Sequence, residues 1–319
     1  MIDKLTYVES NNYDPHMNLA MEEHLLLHVQ QREVILYLWQ NSNTVVIGRN
    51  QNARKECRLS ELEASGGRLA RRLSGGGAVY HDLGNLNFTF FAQGDNYSID
   101  KQLSVIIEAL AGLGIKAEKT GRNDVVVDGR KVSGNAFYKT GDSHYHHGTL
   151  MVNVDKDALT KYLNVSELKL KGKGVDSVRS RVANLSEYAE LSTESLKNAL
   201  LEAFEKLYGG RAERKIFTGE EMAQISEAAV KMSSTEWLFG EEAPCTHSIE
   251  DRMPWGVTGI DMNVRKGRVV SAKIYTDALD VDVPKEIENA IIGMWHEDVI
   301  KAVESGDYEK LRSADAKER

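Results

Sequence analysis

The chain has 319 residues, 41% hydrophobic and 28% charged, the balance of a soluble globular protein long enough for two domains. A formal net charge of -8 argues against a chain built as a whole for nucleic acid, and Cys57 and Cys245 lie too far apart in sequence for a metal motif or a disulfide framework. No apolar stretch approaches the ~20 residues of a membrane helix, and "MIDKLTYVES" carries no signal-peptide core, so a reducing cytoplasm is the expected compartment.

The first predicted element is a helix in "DPHMNLAMEEHLLLHVQ", with Asp14 as N-cap, Pro15 at the first turn, and Met17, Met21 and Leu25 on one stripe. "VILYLW" and "TVVIG", separated by "QNSN", predict a hairpin over Val34 to Gly48. "GNLNFTFF" predicts a strand, and Ser98 to Leu113 a helix ended by Gly112 and Gly114. Asp128-Gly129 sits between two strand-like runs, the strongest short hairpin signal in the chain. "HHGTLMVNV" reads as another strand, and the basic, glycine-interrupted stretch up to Leu185 as a loop. Leu196, Leu200, Ala203, Phe204 and Leu207 mark a helix closed by Gly209-Gly210, and a second amphipathic helix falls within Gly219 to Leu238.

Periodicity then lapses through "FGEEAPCTHSIEDRMPWG", which places a boundary between a domain over 1–243 and a smaller one over 244–319. The smaller one has a hairpin around Lys266-Gly267 and helices over Pro284 to Met294 and Glu297 to Ser305. Strands and helices do not alternate regularly, so the expected class is α+β rather than a doubly wound parallel sheet.

Chemistry concentrates in two places. A two-residue turn at Asp128-Gly129 pairs Val126 with Lys131 and Asp124 with Ser133, which puts Asp124 and Lys131 on one face as diagonal neighbours. Such a pair is either a surface ion pair across a hairpin or a site for a metal-bound phosphate and a carboxylate. The second place is "RRLSGGGAVYHDLGN". Gly75 to Gly77 would let backbone N–H groups approach an anion, and Arg71 and Arg72, pointing to opposite faces, supply forked donors. The stretch matches neither a dinucleotide fingerprint nor a Walker loop. His144, His146 and His147 lack metal-type spacing and suggest one functional histidine; no G-x-S-x-G supports a serine hydrolase. Cys57, in "RKECRLSE", reads as a residue on a helix face rather than a nucleophile.

Six segments in order, "NLAMEEHLL" (18–26), "TVVIGRNQN" (44–52), "ARRLSGGGAVYHDLGNLNFTF" (70–90), "GRNDVVVDGRKVSGNAFY" (121–138), "HHGTLMVNVD" (146–155) and "KGVDSVRSRVANL" (173–185), resemble the lipoate–protein ligase A family, over nearly the whole chain. The resemblance implies a biotin/lipoyl ligase-type catalytic domain of mainly antiparallel mixed sheets with flanking helices, and, from Trp255 onward, the family's small C-terminal domain. It implies activation of lipoate by ATP and Mg²⁺ to lipoyl-AMP, release of pyrophosphate, and transfer to a lysine of 2-oxoacid dehydrogenase E2 subunits or glycine cleavage H protein. By this match Lys131 is the catalytic lysine, touching both substrates. Arg72, Gly77, Ala78, Val79, Tyr80, Asn85, Asn123 and Asp124 would bind ATP, with Asp124 also holding Mg²⁺. Arg71, Ser74, Gly75, Gly76, His81, Ala136 and His147 would form the lipoate side, His81 as lining rather than a base. Lys173, Val178, Arg179 and Arg181 would belong to a loop over the adenylate. Trp39 and Val46 suit an apolar slot for the acyl chain. The alternatives are an ATP-independent octanoyl or lipoyl transferase of the same fold, or a non-catalytic lipoate-binding protein. A monomer is expected.

Overall fold

The computed structural model describes residues 2–120, 124–164, 182–240 and 244–312. In chain order the strands are β1 (Lys4–Glu9), β2 (Glu33–Trp39), β3 (Thr44–Ile47), β4 (Arg68–Arg71), β5 (Val79–His81), β6 (Asn85–Gln93) and β7 (Glu118–Thr120). They continue with β8 (Asp124–Val127), β9 (Arg130–Thr140), β10 (Ser143–Met151), β11 (Ala212–Arg214), β12 (His247–Met253), β13 (Gly256–Arg265) and β14 (Arg268–Thr276). Eight of them form one sheet in the order β11-β1-β2-β6-β10-β9-β8-β7. Only the β11–β1 and β1–β2 pairs are parallel. A second sheet, β4-β3-β5, is mixed, and a third, β12-β13-β14, is antiparallel. With helices on the sheet faces, this is the expected α+β class of mainly antiparallel mixed sheets.

Both faces of the large sheet are covered, which explains why "VILYLW" is apolar throughout: every residue of β2 is buried. On one face Val34, Leu36 and Leu38 with Phe88 and Phe90 pack against Leu103, Ile106 and Leu110 of the Ile99–Gly112 helix and Leu196, Leu200 and Phe204 of the Thr193–Tyr208 helix. On the other, Ile35, Tyr37, Trp39 and Phe91 meet the Pro15–His28 helix, the Gly219–Ser233 helix, and Val46 and Ala70 of the second sheet.

The hairpin expected over Val34 to Gly48 does not form. β1 and β6 already occupy the two edges of β2, so β3 crosses into the second sheet. The amphipathic helix expected within Gly219 to Leu238 divides at Ser234, whose hydroxyl caps a new helix, Thr235–Phe239. The Lys266-Gly267 turn forms with φ of 50° and 80°, joined by the unanticipated β12, and the two C-terminal helices run Val283–Ile291 and His296–Ser305. Among the described residues no helix is long and apolar enough to cross a membrane.

The start of the first helix follows the sequence rule closely. Asp14 is the N-cap, its carboxylate accepting from the His16 and Met17 amides, and Pro15 opens the helix. The same carboxylate pairs with Arg68 at 3.0 Å, tying the helix to β4. Asp14→Ala should lower the unfolding free energy by about 1 kcal/mol, read as a fall in the urea midpoint; an unchanged midpoint would show the cap to be redundant.

Candidate functional site

The inner face of the large sheet and the second sheet enclose a cavity of about 190 Å³. Trp39, Asn87, Thr149 and Ala136 line it from the large sheet, Val46, Val79 and His81 from the second, and Leu19 from the Pro15–His28 helix. Trp39, His81 and Asn87 are buried, whereas Ala78, Val79 and Lys131 are partly exposed, so the cavity has a closed end and a mouth.

Arg72 forms a fixed wall. Its guanidinium is buried and donates to Ser74 Oγ (3.1 Å), to the carbonyls of Gly75 (2.7 Å) and Gly77 (2.8 Å), and to Val46 O (3.2 Å). Burial pulls it down to about 10, which still leaves it charged at neutral pH. The glycine loop is therefore wound around a cation. Gly75 is required for backbone packing, whereas Gly76 and Gly77 line the cavity. A Cβ at Gly75 would lie 2.2 Å from Ala278 O, and the Gly76 amide already donates to that carbonyl at 2.9 Å. Through this contact the segment after β14 closes one side, and Leu279 lines the cavity.

The hairpin brings the mouth its charge. Asp128 and Gly129 turn with φ of 49° and 74°, and Val126 faces Lys131 as expected. A bulge then shifts the register: Val125 faces Ser133, and Asp124 faces Gly134 rather than Ser133. Val132 is the extra residue and turns into the core. Lys131 and Asp124 still meet, with Nζ and Oδ1 2.7 Å apart, and both are half-exposed. The bulge brings Gly134 to their face, where a Cβ would stand 2.9 Å from Lys131 Nζ. Beyond the undescribed segment, Ala183 N donates to Lys131 O at 2.8 Å.

Two polar chains organise the interior. Asn18 donates to the Gln40 carbonyl and to Asn41 Oδ1, which leaves Asn41 Nδ2 to donate to His81 Nδ1 at 3.2 Å. His81 is thus the Nε2–H tautomer, and burial pushes it down to about 3. In the second chain Ser74 Oγ meets His147 Nε2 and His147 Nδ1 meets Glu22 Oε1, each at 2.8 Å. Thr89 donates to the same carboxylate and accepts from Trp39 Nε1. This Ser-His-Glu series lacks the access of a hydrolytic triad: Ser74 is fully buried, stands back from the cavity and already accepts from Arg72.

Of the residues singled out in the sequence, Arg72, Gly76, Gly77, Ala78, Val79, His81, Lys131, Ala136 and His147 line the cavity. Asp124 adjoins it through Lys131, Asn85 through its amide on Asn87, Ser74 through His147, and Gly75 through the loop. Two do not reach it. Arg71, expected on the acyl side, donates instead to the carbonyls of Gly48, Arg49, Gln51, Trp237 and Leu238, binding the Thr235–Phe239 helix to the end of β3. The Tyr80 ring turns to the far side of its sheet, against Tyr162. Asn123, Lys173, Val178, Arg179 and Arg181 lie outside the described residues. His144 stacks on Tyr97 and His146 on Phe90, on the face opposite His147, so the three histidines do not converge. Cys57 is buried and its thiol pushed up to about 11. Sequence reasoning missed Glu22, Asn41, Asn87 and Gly134; only Glu22, a carboxylate on an otherwise buried helix face, carried a local signal.

Comparison with known proteins identifies the family. The family model described as lipoyl protein ligase A/B catalytic domain matches residues 14–205, and that described as bacterial lipoate protein ligase C-terminus matches 242–316. The lipoate complex of P. falciparum LipL1 is 27% identical, with 93% of each chain covered and a TM-score of 0.79. A lipoate-protein ligase A bound with ATP is 28% identical over 75% of this chain and 99% of its own, TM-score 0.66. The bi-partite lipoate protein ligase of Thermoplasma acidophilum, described with its E2 lipoyl domain, is 29% identical over 77% of this chain and 100% of its own, TM-score 0.68.

The buried histidines make acid stability testable. Burial holds His81 and His146 near about 3, while an unfolded imidazole titrates near about 6.5. Between those values the unfolded chain binds more protons, so their contribution is complete above about pH 6.5 and is lost as pH falls toward 3. His146→Gln should shallow the acid limb of unfolding free energy against pH by about one proton. An unaltered slope between about pH 5 and 6 would count against a neutral, buried His146.

Proposed function

The chain belongs to the lipoyl protein ligase A/B catalytic-domain family, and from that premise we propose that it attaches lipoate to protein by way of an ATP-derived adenylate. The observation that carries this reading is the juxtaposition of Lys131 and Asp124 at the mouth of a cavity whose closed end is walled by Trp39, Val46 and Leu19. The acyl chain enters the closed end and its carboxylate stays at the mouth. There a carboxylate oxygen attacks the α-phosphorus of ATP and pyrophosphate leaves. Two anions must meet for that step, and the Lys131 ammonium lies where it can neutralise both. An acceptor lysine amine then attacks the acyl carbonyl and AMP departs, so no nucleophile of this chain is required.

Asp124 suits the single protein carboxylate that a nucleotide-borne Mg²⁺ takes, the phosphates and water supplying its other ligands. When bound, the ion would neutralise phosphate charge. The relative bound with ATP and the match to a ligase C-terminal model support activation over simple transfer. The positions of Cys57 and Cys245 agree, since neither lines the cavity that a transferase cysteine would occupy. The relative described with its E2 lipoyl domain supports E2 lipoyl domains as acceptors; the same reading extends to 2-oxoacid dehydrogenase E2 subunits and glycine cleavage H protein. In this reading residues 1–243 carry catalysis, 244–319 form an accessory domain, and the enzyme works as a cytoplasmic monomer.

Lys131→Ala should reduce lipoate-dependent ATP–pyrophosphate exchange by about a hundredfold or more without loss of the folded state by circular dichroism. Normal exchange by the folded variant would sink the assignment of Lys131.

A further inference from the structure

The closed end of the cavity is not uniformly apolar. His81 and Asn87 are 3% and 2% exposed, and His81 Nε2 and Asn87 Nδ2 have no hydrogen-bond partner among the described residues. Both residues line the cavity. The Asn18–Asn41 chain leaves the proton of His81 on Nε2. Asn87 Oδ1 accepts from Asn85 Nδ2 at 3.0 Å, which leaves the Asn87 N–H groups for other partners. Asn87 is buried and stands in register with Trp39, which walls the closed end, so it lies on the closed-end side of Thr149.

A chain ending in a methyl group offers those donors nothing and strips them of solvent, the costly way to bury an N–H. A disulfide ring is different. Its sulfurs accept weak hydrogen bonds and are polarisable enough to sit well against the Trp39 ring. Sites built to hydrogen-bond a group discriminate against analogues lacking it more sharply than apolar pockets discriminate by size.

We propose that Asn87, acting with the N–H of His81, is a specificity determinant that makes this enzyme prefer an acyl chain ending in a dithiolane over a plain alkyl chain of the same length. The inference rests on the ligase reading above. The test uses full-length wild type, Asn87→Leu and Asn87→Ala, and measures kcat/KM for ATP–pyrophosphate exchange driven by lipoate and by octanoate. Wild type should favour lipoate, and the lipoate-to-octanoate ratio should fall about tenfold in the variants, chiefly through faster use of octanoate by Asn87→Leu. Should Asn87→Leu fail to fold, the ratio in the smaller Asn87→Ala decides. An unchanged ratio in a folded variant, or a wild type that favours octanoate, overturns the inference and leaves the ligase reading standing. Exchange with neither acid in wild type overturns the ligase reading and this inference together.

Discussion

A guanidinium buried without an ion-pair partner among the described residues is the constraint from which the site is built. Removing a charge from water is costly unless every donor is met, and Arg72 meets the cost with one hydroxyl and three backbone carbonyls. Those acceptors must converge, so the chain from Ser74 to Gly77 has to curl. Ser74 is thereby fixed, and with it His147, Glu22, Thr89 and Trp39 in turn. One continuous polar network thus runs from the glycine loop across three strands of the large sheet, and its members restrain one another.

The arrangement separates two tasks on one sheet. The face toward the Ile99–Gly112 and Thr193–Tyr208 helices is an ordinary apolar core. The opposite face carries apolar cavity lining toward Trp39 and concentrated charge toward β8 and β9. A long acyl chain laid across the strands would therefore have its tail and its carboxylate fixed by different elements. Selectivity at one end and reaction at the other can then vary separately.

Much of this was legible in the sequence, for local reasons. The Asp14 cap, the Asp128-Gly129 turn and the alternation that joins Asp124 to Lys131 depend on neighbouring residues alone. What was misread depends on distant ones. β2 and β3 look like a hairpin until β1 and β6 are known to occupy the edges of β2. Arg71 and Arg72 are equivalent as letters, and only the placement of Trp237 and Leu238 sends the first away from the cavity. Nothing in the glycine segment announces that Gly75 abuts the backbone at Ala278. Amides such as Asn41 and Asn87 carry no local signature, since their roles are set by partners on other elements.

The bulge at Val132 reverses parity within a strand. Lys131 and Val132 follow simple alternation; from Ser133 on, the faces are exchanged relative to an unbroken ladder. Ala136 and Tyr138 consequently look toward the cavity side, while Phe137 packs against the His146 ring on the other. Had the same residues paired without the bulge, Val132 facing Val125 and Ser133 facing Asp124, Lys131 would keep its place but the small Ala136 would exchange faces with the large Phe137. An aromatic ring would then stand in the cavity. The width of the cavity is set here by the register of a strand, and by a single valine that pairs with nothing opposite.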